Sequence, residues 1–546
     1  MVSTFLWHDY ETNGVDPTRD RANQFAAIRT NMDLEEIEDP IEIFALPHKD
    51  TLPQPIACLI TGITPNKIFK MSRDPIEGHK VLNEYDFFKK INEHFSVPYT
   101  CGVGYNNISY DDEVSRNGFY RNLIDPYARE YQNNCSRWDI MNVIRLFAVL
   151  YPNDIIVPVV DGKPSFRLEL LTHENGIVHE KAHDAVSDVR ATIAMAKFMK
   201  DKKPEFWDYC FAQRNKKQVL SVLENNNDFK RLEPVLYVSP FFGGERMYSE
   251  IVLSLGKNSK NPNEFFLVKL TKPLEELKKL LESDATTLKE LLYSKTEDLE
   301  GKERPPVNRV QINKCPVMIS TTKIRELLVE TGENSQDFYS RMGFDMNVLK
   351  ENLRWVRENY IEIKKNVLEV FKQEPFRTII DPDLAIYSDF IKDEDKPAMY
   401  AFHKDLADGK IDKYFERTNQ FLDARFNILA RRVVLRNFPN LVENEKIKEG
   451  WEKHCFNRLT QGYSLQNAFT PEFTEKSVSI TLPDFMLELK NSVNHPKYDK
   501  TIIDELTKYG ERMGTALKID ISSIEVKDES SDIVDAKKNK KNKMAP

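Results

Sequence analysis

No apolar run among the 546 residues approaches the ~18 to 20 that a membrane span needs. The longest candidates, such as Leu146 to Tyr151, have the length of a core strand or helix. The N-terminus, Met1 to Asp9, has no basic region ahead of an apolar stretch, so no secretory signal is expected there. Cysteine is scarce, and the six residues (58, 101, 135, 210, 315, 455) form no CxxC pair. That spacing argues against a zinc site and a disulfide framework, and points to a reducing cytoplasm. Positive charge is not in excess: the net charge is −8, which counts against a crude basic coat for nucleic acid. A local basic channel stays open, because steering depends on where charge sits, and carboxylates that bind metal add negative charge of their own. No internal repeat is visible.

What is present fits ordinary globular protein, with 40% hydrophobic and 30% charged residues. At ~150 residues per domain the length suggests three or four domains. Residues 1–200 alternate strand-like runs with helical patterns, as in an α/β domain. Thr4–Trp7, Phe25–Thr30, Ile41–Leu46 and Cys101–Tyr105 read as strands, a helix is expected from about Asp112 to Leu123, and Val186, Val189, Ile193 and Ala196 recur at helical spacing. Residues 201–355 read as a small β-rich domain with one helix. Its strands are Val235–Val238, Ser249–Leu255 and Phe265–Leu270, with a turn at Phe241-Phe242-Gly243-Gly244 and an amphipathic helix over Leu274–Leu292. Residues 356–516 are mostly helical, for example Ile361–Phe371, Asp412–Leu422, Asn427–Leu435 and Ile503–Leu517. The tail from 517 to 546 passes from acidic residues to Lys537, Lys538, Lys540, Lys541 and Lys543 and is expected to be disordered. Its lysines are either merely solvated or a non-specific phosphate-binding arm.

Three short segments carry chemistry. The first is His8-Asp9-Tyr10-Glu11-Thr12. Side chains alternate on a strand, so Asp9 and Glu11 share a face, and two carboxylates held so close stay ionised only beside a cation. Hard divalent ions prefer such oxygen ligands, although a solvated acid pair at a strand end is the plainer alternative. The second is Gly104-Tyr105-Asn106-Asn107-Ile108-Ser109-Tyr110-Asp111-Asp112-Glu113. Asp112 and Glu113 suit helix capping, whereas Asp111, placed before the helix proper, is the better ligand candidate. The third is His183-Asp184-Ala185-Val186-Ser187-Asp188. Asp184 is a helix N-cap, with His183 on the preceding loop and Asp188 early in the helix.

In order, D-x-E, a middle Asp and H-x4-D resemble the DEDD 3′→5′ exonucleases, in the subclass with a histidine. The chain to about residue 516 is similar to the bacterial exodeoxyribonuclease I family. The similarity rests on those segments and on Gln24–Thr30, Leu59–Pro65, Ser136–Asp139, Pro164–Glu169, Ala191–Lys197, Ile312–Val317 and Arg436–Pro439. The resemblance implies an RNase H-like nuclease domain, an SH3-like domain and a helical C-terminal domain around a groove for single-stranded DNA. It implies Asp9, Glu11, Asp111 and Asp188 as ligands of two Mg²⁺ ions, for which Mn²⁺ can substitute. His183 matches the general base, and Glu11 also sits where it can hold the leaving 3′ oxygen or the terminal hydroxyl.

For substrate contacts, Leu59–Thr64 with Thr61 resembles the family's contact with the 3′-terminal nucleotide; a buried strand is the alternative. Ser165, Phe166 and Arg167 resemble a segment near the incoming strand, with a core Phe and a surface ion pair as alternatives. Phe241 and Phe242 are either a stacking surface or a hairpin core. Gln213-Arg214-Asn215-Lys216-Lys217 and Arg431-Arg432 are basic spots, for a groove or partner pocket, or else solvated helix faces. The family further suggests a monomer that docks the acidic C-terminal tail of the single-stranded-DNA-binding protein. The expected activity is 3′→5′ exodeoxyribonuclease action in DNA repair and recombination. An exoribonuclease and a non-catalytic single-strand-binding adaptor are the rivals.

Overall fold

The computed structural model describes residues 3–74, 79–179, 184–294, 299, 303–371, 381–462 and 480–519. His183 and the lysine-rich tail lie outside these residues.

Among them, six strands build one sheet: β1 (Thr4–Thr12), β2 (Ala22–Thr30), β3 (Ile41–Ala45), β4 (Lys80–Leu82), β5 (Thr100–Gly104) and β6 (Ser136–Asp139). The order is β4-β3-β2-β1-β5-β6. β1 pairs antiparallel with β2 and parallel with β5, which places it at the centre. The strand-like run Thr4–Trp7 continues through the acidic residues to Thr12, because β2 hydrogen-bonds its whole length.

The helices here are α1 (Pro55–Thr61), α2 (Pro65–Arg73), α3 (Glu84–Phe95), α4 (Asp111–Arg121), α5 (Met141–Leu150), α6 (Leu168–Glu174) and α7 (Ala185–Lys202). They cover both faces of the sheet, and the parity of β1 decides what each face receives. Phe5 and Trp7 pack with Val189, Ile193 and Ala196 of α7, whereas Leu6 and Tyr10 pack with Phe87, Phe88 and Ile91 of α3 and Val114 of α4. Asp9 and Glu11 continue the odd series and therefore face α7.

A second, five-stranded antiparallel sheet holds Val235–Val238, Ser249–Lys257, Glu264–Lys269, Val307–Gln311 and Val317–Ser320. This region carries more helix than the single one expected, including Thr321–Leu328, Ser335–Arg341 and Met346–Glu358. The amphipathic run Leu274–Leu292 is two helices, Leu274–Glu282 and Ala285–Tyr293. Asp284 breaks it by capping the second, accepting from the amides of Thr286 and Thr287.

The remainder is helical: Lys396–Ala407, Ala424–Asn437, Glu445–Gln461, Leu482–Asn491 and Lys500–Leu517. Asp412–Leu422 is not a helix; only a short 3₁₀ turn, Asp412–Tyr414, forms. The chain beyond runs through bends, and the amides of Leu422 and Asp423 donate to the buried carboxylate of Asp395. The helix pair 482–491 and 500–517 packs through Phe485 and Leu506 onto Leu52, Cys58 and Leu59, beside the first sheet. The six cysteines are free and buried. Among the described residues no helix is long and apolar enough to cross a membrane.

Candidate active site

Strand β1 and helix α7 meet at a carboxylate cluster. Asp9, Glu11 and Asp188 each offer an oxygen, and these oxygens lie within 4.8 Å of one another. Asp188 reaches them because α7 starts where it does: Asp184 caps it by accepting from the Ser187 amide at 3.1 Å, which puts Asp188 in the first turn, over the odd face of β1.

Asp111 approaches from the other side. It is the first residue of α4 rather than a residue before the helix, and its Oδ1 accepts from the Tyr10 amide at 3.1 Å. It stands beside Asp9 without closing into the three-oxygen cluster. The loop that delivers it is held by Asp139 at the end of β6. Oδ1 of Asp139 accepts from the amides of Asn106 and Met141, both at 3.0 Å, and Oδ2 from Ile108 at 3.3 Å.

The electrostatics follow from this crowding. Burial, then the charges of Asp111 and Asp188, hold the Asp9 carboxyl well above the carboxylate range. Burial, then Asp9, Asp188 and Asp184, push Glu11 up to about 9, with Lys497 opposing. Burial and neighbouring Asp112 push Asp111 up to about 8. Without a cation these groups are more stable carrying protons than charges. A half-buried all-oxygen set of this kind suits a hard divalent ion.

Asp112 and Glu113 are not caps. Asp112 is wholly buried and bridges Arg129 at 2.6 Å and Arg137 at 2.7 Å. Glu113 pairs with Arg116 at 2.7 Å and accepts from the Tyr387 hydroxyl of the C-terminal helical region.

A histidine that the sequence pattern did not single out does enter the site. The side chain of His179 is 7% exposed, and its Nε2 is 2.6 Å from Asp188 Oδ1. His183, four residues on, lies outside the described residues.

Thr61 ends α1 in a turn, not in a strand: Gly62 follows at φ +67, and the Thr61 hydroxyl accepts from the Ile63 amide. Ser165 Oγ faces the Arg167 amide at 3.5 Å, and Arg167 is an exposed residue at the start of α6. Phe166 is 6% exposed, with its ring in the core and under the Arg145 guanidinium, which leaves no face for a base. Phe241 is 83% exposed, whereas Phe242 is buried edge-on against Tyr237.

The basic spots are largely spent inside the protein. Gln213 exchanges hydrogen bonds with the Met318 backbone, and Arg214 stacks on Phe211 at 3.6 Å. Arg431 donates to the carbonyls of Tyr414 and Glu416. Arg432 pairs with Asp381 at 2.5 Å and Asp383 at 3.2 Å. Lys216 and Lys217 remain exposed. A groove of about 510 Å³ runs from Ser109 and Asn142 to Phe241, Arg309 and Lys314, between the two sheets.

Comparison with known proteins agrees with this architecture. The family described as Exonuclease matches residues 6–196, the Exonuclease I SH3-like domain matches 214–373, and the Exonuclease I C-terminal domain matches 380–513. The chain is 38% identical over 481 residues to exodeoxyribonuclease I of Escherichia coli, covering 87% of this chain and 91% of that protein. It is 36% identical to the Haemophilus influenzae enzyme of the same name, over 84% of this chain and 90% of that one. Among solved structures, the zinc-bound complex of E. coli ExoI with single-stranded DNA superposes with a TM-score of 0.79 at 35% identity, covering 94% of this chain and all of that one. A moderately thermophilic exonuclease I from Methylocaldum szegediense gives a TM-score of 0.79 at 33% identity, over 94% of this chain and 99% of that one. With its three domain matches in sequence order and its identity spread over most of both proteins, the chain belongs to the exodeoxyribonuclease I family.

Proposed function

We propose that this chain degrades single-stranded DNA from its 3′ end, hydrolysing the terminal phosphodiester and releasing nucleoside 5′-monophosphates. The observation that carries the proposal is the half-buried cluster of Asp9, Glu11 and Asp188, whose carboxylate oxygens lie within 4.8 Å of one another where β1 meets α7. With Asp111 beside Asp9, they form a donor set of hard oxygens for a pair of Mg²⁺ ions, or Mn²⁺ in their place. When bound, such ions set positive charge against the phosphate as negative charge builds up during in-line displacement.

The protein's own groups do the rest. His183, directly before the cap of α7, takes the proton of the attacking water, a task suited to an imidazole near neutral pH. Glu11 faces the terminal 3′ oxygen. No covalent intermediate is required. Thr61 and Ser165 flank the terminal nucleotide, and Arg167, exposed at the start of α6, meets phosphate. The strand continues over Ser109 into the groove toward Arg309 and Lys314, where exposed Phe241 offers a stacking face.

On the same reading the enzyme is a cytoplasmic monomer in DNA repair and recombination and docks the acidic tail of the single-stranded-DNA-binding protein. Its units divide near residues 200 and 355. Six buried free thiols support a reducing compartment. A degradation assay on end-labelled single-stranded DNA, duplex DNA and RNA of equal length tests the activity. Mononucleotides from single-stranded DNA, in Mg²⁺ and not in EDTA, are expected. Faster loss of RNA, or cleavage that survives EDTA, contradicts the proposal.

A further inference from the structure

Asp188 projects from the first turn of α7, so its carboxylate has rotamers that point toward or away from β1. Something must select the productive one. His179 lies on the stretch between α6 and α7, and with the proton on Nε2 its ring donates to Asp188 Oδ1 across 2.6 Å. Its Nδ1 faces the Thr172 hydroxyl at 3.4 Å, and Thr172 is itself fully buried on α6.

The backbone that carries His179 is pinned. Gly176 ends α6 in the left-handed region at φ +65, and the Ile177 amide returns to the Thr172 carbonyl at 2.9 Å. The Asn175 side chain donates to Ile156 O and accepts from Ile156 N, both at 2.8 Å. The ring is therefore presented to Asp188 from a fixed turn and is 7% exposed.

We infer that His179 is a positioning residue, which holds Asp188 toward Asp9 and Glu11 and so sets the affinity of the cluster for divalent cations. Partners of this kind orient metal-binding carboxylates, and losing one typically weakens metal affinity ~10- to 100-fold. The inference rests on the proposed assignment of Asp9, Glu11 and Asp188 as the ion-binding set. The role differs from that proposed for His183: His179 acts through Asp188 and takes no proton from water.

Mn²⁺ binding to the full-length protein, followed by electron paramagnetic resonance without DNA, tests this, paired with Mn²⁺-dependent turnover. His179→Ala should weaken Mn²⁺ binding ~10- to 100-fold and raise the Mn²⁺ concentration for half-maximal rate in step. Turnover at saturating Mn²⁺ should stay close to wild type. His179→Gln, which donates a hydrogen bond but accepts no proton at neutral pH, should restore most of the affinity. Asp188→Asn separates the two levels. If it leaves Mn²⁺ binding unchanged, the ion-binding assignment itself fails. If it abolishes binding while His179→Ala and His179→Gln both bind Mn²⁺ as wild type does, only the positioning role falls. A loss of turnover at saturating Mn²⁺ with unchanged affinity, not restored by Gln, would also overturn it.

Discussion

Two groups of carboxylates among the described residues behave in opposite ways. At the junction of the nuclease sheet with the C-terminal helices, Asp50 and Asp383 are fully buried among arginines. Arg436 reaches Asp50 at 2.7 Å and Asp383 at 2.9 Å, and Arg458 reaches Asp383 at 2.9 Å. Burial opposes ionisation there, yet the guanidiniums outweigh it and hold both carboxyls well below their usual range. In the candidate active site Asp111 is buried and Asp9 and Glu11 are half-buried, but their close charged neighbours are mainly other acids, and all three carboxyls are pushed up. Burial alone does not distinguish a functional site from a structural one. A cluster that carries its own counter-charge is complete and joins domains, whereas one that lacks it is built for a charge that comes from outside.

The sharpest way to break the contrast is to remove one acid from the uncompensated cluster. Asp9→Ala should lower turnover at least ~10³-fold while DNA binding persists, since several kcal/mol of charge stabilisation is lost at ~1.4 kcal/mol per tenfold. A variant keeping a tenth of wild-type turnover would remove Asp9 from the site. His183→Ala should slow the chemical step ~10²- to 10⁴-fold, read by single-turnover kinetics at neutral pH; an unchanged rate refutes its role as base. In the compensated cluster the damage should fall on folding. Arg436→Met leaves Asp50 and Asp383 short of a partner and should cost about 3–5 kcal/mol by denaturant unfolding, because a stranded buried charge is expensive.

Smaller, but more diagnostic, are the opposite pH slopes. Glu11 at about 9 and Asp111 at about 8 lie above their ordinary values of 4.5 and 3.8, so in metal-free protein the folded state keeps protons that the unfolded chain has released. Their contribution is full below about pH 4 and is lost as pH rises through 8 and 9. Asp50 and Asp383 are depressed, so theirs is full above about pH 4 and is lost as pH falls below it. Thermal melts in EDTA should therefore decline from pH 6 to 9, and saturating Mg²⁺ should remove that decline. Asp9→Asn, which removes a raised carboxyl and its upward pull on Glu11, should flatten it too. A melt in EDTA that is level over this range contradicts the raised carboxyls.

Much of the active site was legible because it depends on local rules. The alternation of β1 put Asp9 and Glu11 on one face, and the Asp184 cap put Asp188 in the first turn of α7. What escaped depends on distant partners. Asp112 looked like a cap until β6 and the turn before it brought Arg137 and Arg129 against it. Asp412–Leu422 has a helical pattern, but Asp395, well upstream, captures the amides at its end. Phe166 resembled a stacking residue, yet Arg145 of α5 closes over its ring within the core. His179 carried no signal at all, since its approach to Asp188 is set by the turn after α6.

The central claim is that the clustered carboxylates of Asp9, Glu11 and Asp188, on β1 and α7, await a cation. Crystals soaked in Mn²⁺ at pH 7.5 and measured at the manganese absorption edge address it directly. An anomalous peak within about 2.0–2.3 Å of carboxylate oxygens from Asp9, Glu11 and Asp188 is expected. No peak at that position, with the three side chains turned away from one another, would contradict it.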